Sequence, residues 1–294
     1  MSHVNRPSPA VGVQPLGCCG TLKRELQPRA PRFDAARLRR TILDMSLAGS
    51  TVHVPCAFSI VEILAVLYRS YLRLDANDPR APDRDYLVLS KGHGVMAQYA
   101  CLNELGWVSD AELRVYFDDG TRLKGLADAH VPGIEATAGS LGHGLSVAVG
   151  LAMAAKRRGS RQRVFAIVGD GEANEGTIWE AILFAAHNQL SNLILIIDAN
   201  GMQAMGSTAE VMNLGSIVNK LAAFGFTARE TDGHDEAALS TALDELLADP
   251  TPRPKGLVAR TVKGKGVSFM EHNNRWHYTR LTPETHAAAM AELA

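Results

Sequence analysis

Val168-Gly169-Asp170-Gly171-Glu172-Ala173-Asn174-Glu175-Gly176, followed by Asp198-Ala199-Asn200-Gly201-Met202, decides the reading of this 294-residue chain. Upstream of Asp170 runs Arg163-Val164-Phe165-Ala166-Ile167-Val168, and upstream of Asn200 runs Asn192-Leu193-Ile194-Leu195-Ile196-Ile197. Both are short apolar runs of the sort buried on both faces of a parallel sheet. Between them, over 177–190, Ile178, Ala181, Ile182 and Ala185 recur at helical spacing. Strand, helix and strand make one βαβ unit, whose right-handed crossover brings both strand ends to the same edge of the sheet. Open α/β sheets bind their ligands at that edge. Asp170 and Asn200 are therefore expected side by side, one offering a carboxylate and the other an amide oxygen.

Hard oxygen ligands beside a glycine-rich helix start suit Mg²⁺ holding a diphosphate. Mg²⁺ takes one or two protein side chains and fills its octahedron with phosphate oxygens and water. Backbone N–H groups near Gly171 would face the anion. In residue types and spacing the stretch resembles the thiamine diphosphate motif, Gly-Asp-Gly and then Asn about thirty residues on. That resemblance implies a third metal ligand, the backbone carbonyl two residues past the Asn, which is Met202 here. Without the resemblance, the same residues read as an ordinary βαβ unit whose Gly and Asp make turns.

Composition narrows the function classes. With 46% apolar residues the chain can bury a large core, as one big α/β domain or two small ones. A net charge of −1, with basic doublets at Arg39-Arg40 and Arg157-Arg158, argues against nucleic acid as a partner. Cys18, Cys19, Cys56 and Cys101 lack CxxC spacing and read as reduced thiols of a cytoplasmic protein. Apolar stretches such as 145–155 are too short to span a bilayer, and no secretory signal opens the chain. Residues 1–32 hold five of the thirteen prolines and no periodic apolar pattern. They read as a disordered leader ahead of one compact domain over 33–294.

Helices are expected over 33–47 and 59–74, the second with Ile60, Ile63, Leu64, Leu67, Tyr68 and Tyr71 on one face. A short strand over 85–90 runs into Ser90-Lys91-Gly92-His93-Gly94. A helix follows over 95–105, then another opened by Ser109 as N-cap with Glu112 three residues on. Gly139-Ser140-Leu141-Gly142 introduces an Ala- and Val-rich helix reaching about residue 158. After the βαβ unit come a helix near 215–224, a strand ending at Asp232-Gly233, a helix over 235–248 and a strand over 256–262. A Gly- and Asn-rich loop covers 263–277. Alternating strands and helices of this length predict an α/β fold, a doubly wound parallel sheet with helices on both faces.

Four further segments stand in order: Thr51-Val52-His53-Val54-Pro55, Ser90-Lys91-Gly92-His93-Gly94, Gly139-Ser140-Leu141-Gly142-His143-Gly144, and Gly264-Lys265-Gly266-Val267-Ser268-Phe269-Met270-Glu271 ending in Trp276-His277. With the metal motif they resemble the N-terminal, diphosphate-binding domain of transketolase, especially the split type made as two polypeptides. The resemblance covers about residues 33–280. It implies transfer of a two-carbon ketol unit from a ketose phosphate to an aldose phosphate, with thiamine diphosphate and Mg²⁺ as cofactors. Protons must then move to and from hydroxyl oxygens, and imidazole can both donate and accept them near neutral pH. By resemblance, His53 contacts the substrate near its reacting hydroxyls, His93 lies near the diphosphate, and His277 touches both. Gly139, Ser140 and Leu141 match the strip that meets the aminopyrimidine, and Gly171 a backbone contact to diphosphate. Glu175 matches an acidic residue in a buried network linking two active sites. His187, His234, His272 and His286 read as surface or structural residues. His143 stands where many family members have Gln, and a structural or a catalytic role suits it equally.

The pattern also departs from the family. There, the counterpart of His53 sits in Ser-Gly-His-Pro-Gly-Gly, whereas here Val52, Val54 and Cys56 surround it, removing backbone freedom and adding volume. A second family histidine is expected directly after Gly125, where Leu126 stands. Either His130 reaches the same site from a different loop, or that proton-transfer group is missing. Tyr278 follows His277 where Gly is common. These changes bear on the substrate, a sugar or sugar phosphate, and not on the cofactor.

About seventeen residues follow His277, enough for one helix. In the family, the glutamate that promotes the reactive pyrimidine tautomer lies on a separate pyrimidine-binding domain, with most arginines that grip the substrate phosphate. The chain thus reads as half an active site. The implied partner is a second polypeptide carrying pyrimidine-binding and C-terminal domains, in an α2β2 assembly. The alternatives are an α subunit of a 2-oxo acid dehydrogenase, which carries the same metal motif, and a regulatory relative that does not turn over.

Overall fold

The two apolar runs around the glycine-rich motif become neighbouring strands in a computed structural model that describes residues 33–294. The leader expected over 1–32 lies outside the described residues. The strands are β1 (Tyr86–Leu89), β2 (Val164–Gly169), β3 (Leu193–Ala199), β4 (Thr227–Asp232) and β5 (Lys255–Arg260). Ahead of β2 come helices α1 (Ala35–Ala48), α2 (Val54–Phe58), α3 (Val61–Val66), α4 (Val95–Glu104), α5 (Asp110–Arg114) and α6 (His143–Arg157). After it come α7 (Gly176–His187), α8 (Thr208–Met212), α9 (Ile217–Ala223), α10 (Glu236–Ala248) and α11 (Pro283–Glu292).

All five strands pair in parallel, in the order β1-β2-β3-β5-β4. Successive side chains of a strand point to opposite faces, and each face has its own core. Leu87, Leu89, Phe165, Ile167, Ile194, Ile196 and Leu257 pack with residues of α1 to α4 and α10. Val88, Val164, Ala166, Val168, Leu195, Ile197 and Val258 pack with α6, α7 and α9. Cover on both faces is why these strands read as unbroken apolar runs rather than alternating ones.

The winding follows from crossover handedness. From β1 through β2 and β3 towards β4 the chain moves one way across the sheet, with α6, α7 and α9 on one face. From β4 to β5 it reverses, and α10 falls on the other face, as right-handed crossovers require. The doubly wound sheet expected from the sequence is the fold observed.

The helix expected over 59–74 is observed from Val61 to Tyr71, preceded by the separate short α2. Pro55 starts α2 at Val54, and its fixed φ suits a first turn. Ser59 then turns its hydroxyl to the Cys56 carbonyl (3.1 Å) and to the Asp198 carboxylate (2.8 Å). Ile60 leaves helical geometry at φ −109°, and after α3 a π-helical turn covers Leu67–Tyr71. The short α8, capped by the Ser207 hydroxyl, was not expected. The capping box of Ser109 and Glu112 is present.

The residues after the 263–277 loop form α11. It is tied to α1 by His286 on Asp44 (2.9 Å) and by Arg40 donating to the Leu293 carbonyl (2.5 Å). Cys56 and Cys101 are free and buried. No helix among the described residues is long and apolar enough to cross a membrane.

Candidate active site

The C-terminal ends of β1, β2 and β3, with the loop after β5, open on a cavity of about 510 Å³. Register pairs Gly169 with Asp198, so Asp170 and Asn200 leave adjacent strands into the same space. The buried Asp170 carboxylate accepts the N–H of Gly171 (2.8 Å) and of Gly201 (2.6 Å), pinning both loops. Burial, helped by the nearby Asp198, pushes its pKa up to about 6. A carboxylate so placed is short of positive charge, which a divalent cation would supply.

Asn200 donates from Nδ2 to Asp198 (2.9 Å), while its Oδ1 accepts the Met202 N–H (3.1 Å). These bonds fix which end of the amide is oxygen. A side chain at Gly171 would put its Cβ 2.8 Å from Cγ of Gln203, so the backbone there stays bare towards the cavity. Gln203 Nε2 and Asn174 Oδ1 are buried without a partner among the described residues, on residues that line the cavity. One carboxylate, one oriented amide oxygen, a bare glycine backbone and an unpaired donor fit a magnesium diphosphate.

Beneath this edge lies a buried ion pair. Asp198 accepts from Lys91 Nζ, from Thr261, from Ser59 (2.8 Å) and from Asn200 (2.9 Å). Burial alone would raise the Asp198 pKa, but Lys91 and these bonds hold it below the usual carboxylate range. Burial also opposes the Lys91 charge, yet Asp198 keeps the ammonium above its ordinary value. Glu172, buried close by, accepts from Ser90 (2.5 Å), from the Gly142 N–H (2.8 Å) and from the Gly169 N–H (3.1 Å). It thereby ties the loop after β1 to the start of α6.

Three histidines close the opposite wall. Ring centroids lie 5.3 Å apart for His53 and His93, 5.1 Å for His53 and His277, and 6.0 Å for His93 and His277. His53 sits at φ 73°, in the left-handed region. Lys263 Nζ lies 2.7 Å from Nδ1 of His277. An ammonium only donates, so Nδ1 accepts and the ring proton resides on Nε2. Burial first, then the charge of Lys263, lowers the pKa of His277 to about 3 and of His53 to about 4. Burial and Lys91 hold His93 well below its ordinary value. All three rings are neutral at neutral pH, beside two lysines, in a site suited to an anion.

This has a measurable consequence. Unfolded histidines take up a proton near pH 6.5, while folded His53 and His277 stay neutral to about pH 4 and 3. Between those limits the unfolded state binds more protons, so these residues stabilise the fold above about pH 6.5 and lose that contribution as pH falls. Asp170, shifted upward, works in the opposite sense below about pH 6; comparison with a variant separates the two. The double variant His53→Ala/His277→Ala is expected to show a flatter rise in melting temperature from pH 5 to 6.5 than the wild-type chain. An unchanged slope would show that these rings titrate normally.

Residues 35–293 match the family model described as transketolase, thiamine diphosphate binding domain. The chain belongs to the transketolase family. It is 40% identical over 248 residues to an apulose-4-phosphate transketolase subunit from Actinobacillus succinogenes, covering 83% of this chain and 88% of that one. It is also 40% identical over 242 residues to the 6-deoxy-6-sulfo-D-fructose transketolase subunit SqwG of a Clostridium species, covering 82% and 88%. Among solved structures, transketolase from Leishmania mexicana matches with a TM-score of 0.81 and 31% identity, over 88% of this chain and 40% of that one. The chain thus spans two fifths of that structure's length. Transketolase membership disfavours the 2-oxo acid dehydrogenase alternative.

Against the transketolase pattern, Gly139 and Leu141 line the cavity with Leu126, Asp170, Asn200 and Met202, and Ser140 lies exposed beside it. His130 corrects one expectation. Its ring is 89% exposed and paired with Asp128 at 2.7 Å, and its N–H also bonds that carboxylate at 3.0 Å. This local turn holds the ring away from the cavity, so His130 does not stand in for the transketolase histidine that Leu126 replaces. Glu175 lies at the rim. It borders the cavity but is exposed on this chain, so a buried network at this residue is not formed by one copy alone.

Tyr278 packs its ring against His277 (4.5 Å) and His53 (5.7 Å). His234 is structural, bonding Glu62 (2.9 Å) and accepting the Val262 N–H (2.7 Å). Lys91, Lys263, Glu172 and Asp198 were not singled out from the sequence. All but Lys263 lie inside motifs recognised by their neighbours, which was the available signal.

Proposed function

We propose that this chain is the N-terminal subunit of a two-chain transketolase, with residues 33–294 as its thiamine diphosphate-binding domain. It transfers a two-carbon ketol unit from a ketose or ketose phosphate donor to an aldose or aldose phosphate acceptor. The observation that carries this reading is the meeting, in one cavity at the sheet edge, of the Asp170–Asn200 oxygen pair with three neutral histidines. Asp170, Asn200 and the Met202 carbonyl would hold Mg²⁺. The Gly171 backbone, His93 and His277 would hold the diphosphate, with Gly139, Ser140 and Leu141 along the aminopyrimidine. When bound, thiamine diphosphate supplies a nucleophilic carbon and an electron sink for the two-carbon unit.

The chain's own residues position and move protons. His277 donates from Nε2 to an oxygen in the cavity. His53 and His93, neutral and without a side-chain hydrogen-bond partner among the described residues, can take a proton from a substrate hydroxyl or return one. Lys91 and Lys263 supply fixed positive charge that favours an anionic ligand. Glu175, exposed at the cavity border, would meet a second copy in an α2β2 assembly with two-fold symmetry. Sugar-phosphate substrates suit a cytoplasmic enzyme.

Two relatives of similar length are named as subunits, which supports a partner. That partner would supply the pyrimidine-binding and C-terminal domains, with the glutamate that faces the pyrimidine ring. The chain alone is expected to bind thiamine diphosphate weakly and to show no ketol transfer. Adding the second polypeptide should bring transfer to on the order of a hundredfold or more above the assay background, the scale of one positioned proton-transfer group. Robust transfer by this chain without a partner would refute the two-chain reading.

A further inference from the structure

A second cavity, of about 380 Å³, opens beside the first and shares two of its walls, His53 and Leu126. Val52 and Phe117 continue its apolar lining, Ser50, Thr51 and Tyr116 add hydroxyl-bearing residues, and Lys124 and Arg280 stand at it as exposed cations. Neither the Lys124 ammonium nor the Arg280 guanidinium makes a hydrogen bond or salt bridge among the described residues. Asp128, which feels the Lys124 charge, is already engaged by the N–H and ring of His130.

The backbone marks the same place. Six described non-glycine residues have positive φ, and three of them line this cavity: Ser50 at 46°, His53 at 73° and Phe117 at 67°. Such residues persist only where their surroundings over-determine them, and they gather at ligand clamps. The Phe117 ring covers Gly125 so closely that an added Cβ would lie 3.0 Å from it. A side chain at position 125 would push the Phe117 ring outward.

We propose that this second cavity receives the anionic end, a phosphate ester or a sulfonate, of the sugar substrate, with Lys124 and Arg280 as its counter-charges. The inference rests on the transketolase reading above. With reacting carbons held at His53, where the two cavities meet, a substrate chain continuing past Leu126 enters the second. Leu126, Val52 and Phe117 offer the stretch between an apolar wall, and Ser50 and Thr51 offer it hydroxyls. At the far end an anion meets two cations that have no other partner among the described residues, one of them a guanidinium fork that suits such oxygens. This chain would then carry an anion grip of its own, in addition to any on the partner.

The test uses the assembled two-chain enzyme with β-hydroxypyruvate as donor. Ribose 5-phosphate is compared with ribose, and glyceraldehyde 3-phosphate with glyceraldehyde, as acceptors. In the double variant Lys124→Gln/Arg280→Gln, KM for the phosphorylated member of a pair is expected to rise about tenfold or more. KM for the uncharged member should move less than about twofold, because it has no anion to place. Both substituted residues are exposed, so folding is not at stake. An equal rise for both members, or no rise for either, would overturn the assignment. So would turnover that becomes more dependent on subunit concentration, since a partner segment would then be the occupant. Absence of transfer to all four acceptors by the wild-type enzyme would instead remove the transketolase reading, and this inference with it.

Discussion

Asp170→Ala is expected to abolish ketol transfer and to weaken joint binding of Mg²⁺ and thiamine diphosphate by on the order of a hundredfold or more, since even residues behind metal ligands cost about 10–100-fold. Asp170 is the only carboxylate among the three proposed metal ligands, and it also pins the backbone at Gly171 and Gly201. Burial and the nearby Asp198 raise its pKa to about 6, so its charge is held at a cost. Removing that charge should therefore cost the fold little. Asp170→Asn keeps the shape and most of the hydrogen bonding, so it isolates the loss of charge. Titration calorimetry with Mg²⁺ and thiamine diphosphate, beside a thermal melt, separates the two effects. Wild-type affinity in Asp170→Ala would mean that the metal is held elsewhere.

The largest loss of stability is expected from Asp198→Ala, about 3–5 kcal/mol, the usual cost of removing one partner from a buried pair. Lys91 is 2% exposed, and without Asp198 its ammonium would keep only the Cys56 carbonyl (3.0 Å) and Ser59 (3.3 Å). Ser59, Thr261 and Asn200 would lose an acceptor as well. The double variant Lys91→Met/Asp198→Leu should recover much of the loss, because well-packed apolar residues often replace a buried pair at little cost. Urea unfolding of both variants decides this. A loss below about 1 kcal/mol in Asp198→Ala would show that the Lys91 charge finds water or another acceptor.

What could be read in advance depended on range. The strands flanking the glycine-rich motif were legible because burial on both faces leaves a local mark, a run of branched apolar residues. The break at Ser59 was not, because its cause is Asp198, 139 residues away in sequence. His277 stood out by its place in a motif. Lys263, which controls it, did not, since a lysine among glycines reads as solvated until the fold buries it. Lys91 and Asp198 were visible only as neighbours of recognisable residues, because nothing local tells that a charge will be buried with its counter-charge. The position of His130 was readable in part. Asp128-Ala129-His130 has the spacing of an aspartate that bonds its own backbone two residues on, and that turn keeps the ring outside.

The bond from Lys263 to His277 gives the site a built-in sense of direction. With its Nδ1 lone pair already engaged, His277 can extend a hydrogen bond but has no vacancy for an incoming proton. His53 and His93 carry no such commitment and can exchange tautomers as the occasion requires. The trio is therefore not three equivalent rings but one fixed pole and two reversible ones, and proton traffic must run through the reversible pair.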